Sequence, residues 1–130
     1  MRPYIFRGKR EEDGKWVIGT GIDTFGGTFI LNAYERETDA TDCDDYRVNP
    51  LTVGQYTGLK DKNGKMIFDG DIVRYGDTIH EVVFEQRNGT AYFGLVYSMI
   101  ETLPFGHYQD LNQIEVIGNI HDNSELLKGE

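Results

Sequence analysis

Short apolar segments separated by turn-forming residues recur along the chain, and within several of them apolar and polar positions alternate with a period of two, as in strands with one buried face. Tyr4-Ile5-Phe6-Arg7-Gly8 and Lys15-Trp16-Val17-Ile18-Gly19 read as two strands joined by the polar turn Glu11-Glu12-Asp13-Gly14, a hairpin whose Trp16 ring is expected on the core. Residues 28–34 form a third β-rich run. After Asn49-Pro50, which enforces an extended entry, residues 51–56 alternate so that Leu51 and Val53 share one face of a further strand.

The stretch 51–75 holds the densest structural signals. Asn63-Gly64 tolerates the positive φ angles of a two-residue type I′ hairpin turn, and Asp69-Gly70-Asp71 bends the chain between Met66-Ile67-Phe68 and Ile72-Val73-Arg74-Tyr75. Residues 78–85 follow, with Ile79, Val82 and Phe84 as core candidates. Asn88-Gly89 then turns the chain into the strand 92–97. Residues 114–120 make a last strand that closes a barrel, and residues 122–127 start a helical turn in which Leu126 or Leu127 covers an open end. The fold class predicted is all-β: an N-terminal hairpin region, residues 1–50, packed on a small C-terminal β barrel, residues 51–130, with a short C-terminal helical turn, the two forming one compact unit.

Composition narrows the function classes. A chain of 130 residues excludes a large multidomain enzyme, and no apolar run approaches the length that spans a bilayer. The start of the sequence has no apolar secretory segment, so a cytoplasmic location is expected. Cys43 is the single cysteine, which excludes an internal disulfide, and its neighbours Asp42, Asp44 and Asp45 disfavour a thiolate nucleophile. The net charge of −9 repels nucleic acid at long range. Two local basic groups run against it: Arg2, Arg7, Lys9 and Arg10 near the start, and Lys60, Lys62 and Lys65 in the centre. Acids crowd an insert at about residues 35–47, which lacks large aliphatic side chains and reads as a mobile surface loop or as a docking site for a basic partner.

Candidate chemistry is sparse. Counted from Asp61 as a calcium loop, the fifth position is Lys65 and the twelfth Ile72, so the oxygen pattern fails. Asp69 and Asp71 flank Gly70 as turn formers that bond local N–H groups. His80, His107 and His121 lack the local spacing of a metal site, and no phosphate loop or nucleophile elbow is present. No catalytic residue, metal or cofactor is assigned. Tyr56, Tyr75, Tyr92 and Tyr108 have undetermined strand register. The candidate interaction residues are Lys60, Lys62 and Lys65 on the basic side, and Asp42, Asp44 and Asp45 on the acidic side.

TVGQYTGLKDKNGKMIFDGDIV in the middle, FRGKR near the start and EVIGNIHDNSELL near the end resemble the YopX family of bacteriophage and prophage proteins. The resemblance reaches both ends and the centre, while residues 20–48 match no pattern of the family. Where the family commonly has Asn-Pro-Glu-Leu-Leu, this chain has Asn123-Ser124-Glu125-Leu126-Leu127. The resemblance implies a phage- or prophage-encoded protein whose C-terminal part is an SH3-like barrel, and it implies no activity. The function expected is a non-catalytic accessory protein that engages a phage or host protein. Two alternatives stand beside it: a nucleic-acid-associated barrel using the local basic groups, and an acidic mimic of nucleic acid acting on a host protein. Exposed strand edges also allow pairing between copies.

Overall fold

The computed structural model describes residues 4–35, 44–87, 90–98, 101–104 and 111–128. The fold is all-β with one short helix, α1 (Glu125–Lys128), and it divides into two units, Met1–Tyr56 and Thr57–Glu130.

In the first unit β1 (Phe6–Lys9) and β2 (Trp16–Gly19) form the expected hairpin, in register from Phe6↔Gly19 to Lys9↔Trp16. Its turn closes through Arg10 N–H to the Lys15 carbonyl, with Gly14 at a φ of 74°. The next hairpin is long. β4 (Phe29–Glu35) pairs with β2 at its far end and with β3 (Gly21–Asp23) near the tip, the two partners being separated at Thr20. β5 (Asp44–Arg47) adds to the other edge of β4. Beyond β5 the chain reaches β1 again: Val48 bridges Arg10, and Asn49 N–H donates to the Lys9 carbonyl. Strand pairing therefore runs from β1 through β2, β4 and β5 back to β1, around Val17, Ile30, Ala33 and Val48, all fully buried. The expected hairpin region is thus present, and its sheet returns on itself through the Arg10↔Val48 bridge.

Two local expectations in this region change. The acidic insert ends in a strand: residues 44–47 pair with β4, because backbone pairing and one useful apolar side chain, Tyr46, offset the poor composition. Residues 36–43 lie outside the described residues. Leu51 is not in a strand, since Pro50–Thr52 forms one turn of 3₁₀ helix in which the Asn49 carboxamide oxygen accepts from Leu51 N–H at 3.0 Å. Leu51 is consequently 82% exposed, while Thr52 is buried and its hydroxyl accepts from Lys9 N–H. β6 (Gly54–Lys60) begins afterwards, and its Gly54 and Gln55 pair with β1.

The second unit contains the end of β6 and β7 (Met66–Phe68), then β8 (Asp71–Tyr75), β9 (Thr78–Arg87), β10 (Thr90–Ser98), β11 (Glu101–Pro104) and β12 (Ile114–Asn119). Successive hairpins and a return strand give the order β11-β10-β9-β8-β12, a sheet curled as a half-barrel. Ile67, Val73, Val82, Leu95 and Ile114 make its core, with Tyr75 and Val116 packed alongside. Of the three core candidates in 78–85, Val82 is fully buried and Ile79 half-buried, whereas Phe84 is 46% exposed and stacks edge-on against Phe93 at 5.0 Å. The helix α1 lies against β9 with Leu126 and Leu127 half-buried.

The turn at Asn63-Gly64 is present but is not type I′, because only Gly64 has positive φ, at 80°. Gly64 N–H donates to the Asp61 carbonyl and Asp61 N–H to the Lys65 carbonyl, so the loop is one residue longer than expected. The Asp61 side chain imposes this shape. Its Oδ1 accepts from Asn63 N–H and Lys65 N–H, and its Oδ2 from Val116 N–H, each at 2.9 Å. Burial works against the charged carboxylate, yet these donors together outweigh it and hold the pKa below the ordinary value.

Asp61→Ala is expected to lower unfolding free energy by about 2–4 kcal/mol, since it removes the acceptor of three N–H groups; a urea midpoint that does not move would contradict this. Because the folded pKa of Asp61 is depressed, its contribution is present above the unfolded value near pH 4 and is lost as pH falls through the folded value, so Asp61→Asn flattens the acid limb of stability against pH. Gly19→Ala is expected to cost about 1–3 kcal/mol, because a Cβ there would strike the Leu31 carbonyl oxygen and sit 2.7 Å from Ile30 Cγ2; thermal melting reads the loss.

Candidate functional site

The basic candidates sit on one hairpin. Lys60 ends β6 and Lys62 and Lys65 lie in the loop before β7, all three exposed. Their backbone is held by Asp61 and by Lys62 N–H donating to the Ile114 carbonyl at 2.9 Å, which seats the loop against β12. Pairing of β12 with β8 sets Glu115 opposite Arg74. Lys62 Nζ lies 3.9 Å and Arg74 Nη1 3.7 Å from the same Glu115 oxygen. Together with Gly76, Asn112 and Gln113 these side chains line an open cleft of about 270 Å³. Arg74, Glu115 and the two amides are functional candidates that sequence reasoning missed. Their proximity depends on strand pairing across roughly forty residues, for which no local pattern exists.

The acidic candidates divide differently. Asp45 Oδ1 accepts from Asn32 N–H at 3.1 Å, where Asn32 takes a φ of 53° and the β4–β5 register slips, and Asp44 Oδ1 accepts from Asp45 N–H. Asp45 thus supports a bulge, although both residues remain exposed. Asp42 and Cys43 lie outside the described residues.

Among the described residues the N-terminal cations do not form an open patch. Arg7 is 2% exposed, with its guanidinium 4.8 Å from the Trp16 ring centre, and Lys9 Nζ stands 5.8 Å from the same ring. Trp16 is half-buried and carries these cations rather than packing purely on apolar side chains. Arg10 pairs through two nitrogens with Asp13 and lies over Tyr46. The Arg10 hydrogen bond, then that from Lys15 N–H, pulls the Asp13 carboxyl down to about 2. Arg2 is outside the described residues.

Of the groups considered for chemistry, Asp71 is 1% exposed and its Oδ2 accepts from Phe68 N–H at 2.7 Å, the turn-forming role expected. His80 is buried, with Nδ1 2.9 Å from the Val96 carbonyl and Nε2 2.7 Å from the Thr78 hydroxyl. His121 is exposed, and His107 lies outside the described residues. Among the described residues no three His, Cys, Asp or Glu side chains gather as a metal site. Tyr56 is buried, which raises its phenol pKa, and Tyr75 packs on the second core; Tyr92 pairs opposite Glu85 on β10. The side chain of Tyr92, and all of Tyr108, fall outside what is described.

Among the described residues Glu81 is a carboxylate held above its ordinary range, by burial and then by repulsion from Asp69. A raised folded pKa contributes stability below the unfolded value that disappears as pH rises through the folded one. Glu81→Gln is therefore expected to raise stability at pH 7 and leave it unchanged at pH 3; urea titrations at both values check the sign.

Comparisons with known proteins bear on the family. The chain is similar to protein EF1440 from Enterococcus faecalis, known from a crystal structure, at 22% identity over 95% of this chain and 97% of that one, with a TM-score of 0.46. Among curated proteins none matches. The family model for YopX protein matches residues 5–128, nearly the whole length, and the chain accordingly belongs to the YopX family.

Proposed function

We propose that the chain is a phage- or prophage-encoded accessory protein without catalytic activity, which acts in the host cytoplasm by binding another protein. The observation that carries this reading is Phe25, 90% exposed on an ordered hairpin tip. Asp23 Oδ1 accepts from Phe25 N–H at 3.0 Å, and Gly26 and Gly27 take φ angles of 74° and 144°, so the tip is built by its own turn chemistry. Ile22 on the adjoining β3 is also exposed. A rigidly presented aromatic side chain is the kind of group that anchors protein interfaces.

The roles of the polar groups support the same reading. Asp61 and Asp71 accept backbone N–H groups, and both nitrogens of His80 face hydrogen-bond partners, so these side chains serve the architecture. Nucleic acid is a weaker fit, given the charge of −9 and the burial of Arg7.

Affinity capture from host lysate with the intact chain and with Phe25→Ser tests the proposal. The expected result is a specific protein retained by the parent across several salt concentrations and lost with Phe25→Ser, whose stability changes by less than about 0.5 kcal/mol. No specific protein, or equal retention by both, overturns it.

A further inference from the structure

We infer that the cleft beside the 61–65 hairpin is a recognition site for a carboxylate-bearing peptide segment. This rests on the protein-binding reading and names the chemistry of a second contact. The argument begins with charge. Lys62 and Arg74 share a single carboxylate, Glu115, so these three exposed or half-buried side chains sum to one positive charge in a chain whose net charge is −9. Both contacts, at 3.9 and 3.7 Å, are longer than hydrogen bonds, so Glu115 neutralises the cations only loosely. An incoming carboxylate set between the ammonium and the guanidinium would make the charge-assisted bonds that Glu115 does not.

The remaining lining selects among anions. Glu115 accepts and does not donate, so it favours a ligand that brings an N–H group beside its negative charge, as a peptide backbone does. Gln113 is an exposed amide on the rim, able to pair with a peptide group in either sense. Gly76 at the β8–β9 turn adds no side chain to obstruct entry. A phosphodiester strand carries no donor on its phosphates to offset Glu115, whereas a peptide carboxylate arrives with backbone N–H groups beside it. The cleft, about 270 Å³, accommodates a side chain and its adjoining peptide units rather than a run of nucleotides.

The position of the cleft is built into the fold. Asp61 fixes the loop to β12, and the Arg74↔Glu115 register fixes the opposite wall, so the charges are pre-placed before any ligand arrives.

The test is an amide-shift titration of the full chain with the blocked pentapeptide Gly-Glu-Asp-Glu-Gly, its neutral counterpart Gly-Gln-Asn-Gln-Gly, and a short oligodeoxythymidine of matching charge. The acidic peptide is expected to shift the amides of Gly76, Asn112, Gln113 and Glu115, with the neutral peptide silent. Arg74→Gln and Lys62→Gln, both at exposed side chains, should each weaken binding by about 5- to 10-fold while leaving the rest of the spectrum in place. Shifts absent from the cleft, affinity unchanged in both variants, or tighter binding of the oligonucleotide each overturn the inference. Loss of this binding with Phe25-dependent capture retained would remove the cleft alone, whereas cleft binding without capture would remove the Phe25 reading alone.

Discussion

One buried carboxylate sets the geometry of the second unit. Asp61 is 6% exposed, and its two oxygens accept three backbone N–H groups, two from its own hairpin loop and one from β12. A hairpin loop ordinarily leaves donors to water, and a strand beside a loop leaves its edge unpaired. Here the same side chain meets both needs. Lys62 N–H to the Ile114 carbonyl completes the attachment. The loop is thereby set against β12, and the cationic side chains it bears acquire defined neighbours.

The first unit solves an equivalent problem by backbone pairing rather than through a buried carboxylate. Val48 and Asn49 return to Arg10 and Lys9, so a short sheet closes on itself around Val17, Ile30, Ala33 and Val48. Closure at this size demands small residues where strands approach. A Cβ on Gly8 would stand 3.0 Å from Val48, and Gly19 faces β4 backbone even more tightly. The bulge at Asn32, supported by Asp45, absorbs the slip between β4 and β5.

These arrangements account for much of the polar chemistry of the chain. Asp61 and Asp71, weighed from sequence for an ion site and for acid–base work, are acceptors for backbone donors, and Arg10 is engaged by Asp13 and Tyr46. Exposed groups held by ordered turns, Phe25 on one hairpin and Lys62 on another, are the ones proposed to meet partners. The Phe25 tip is specified by its own turn chemistry, whereas the Lys62 turn is also held by β12, and each presents a side chain without a rigid helix.

Strand identity and order were largely legible from sequence, because alternation, β-branched runs and Gly-containing turns are local signals: the β1–β2 hairpin, the bend at 69–71, the strands from β8 to β10, β12 and the terminal helical turn all follow from them. Family membership was legible too, since TVGQYTGLKDKNGKMIFDGDIV and its flanking motifs are contiguous. Long-range pairing was not. β5 joins β4 although its composition resembles a loop, Leu51 is turned outward by the Asn49 cap, and the longer 61–65 turn is chosen by a carboxylate also bonded to Val116. Lys62 could be identified as an exposed cation from sequence alone, but its meeting with Arg74 and Glu115 could not. Residue type and short-range spacing determine what each segment prefers; tertiary structure alone decides which distant segments share hydrogen bonds, and therefore which charges come together.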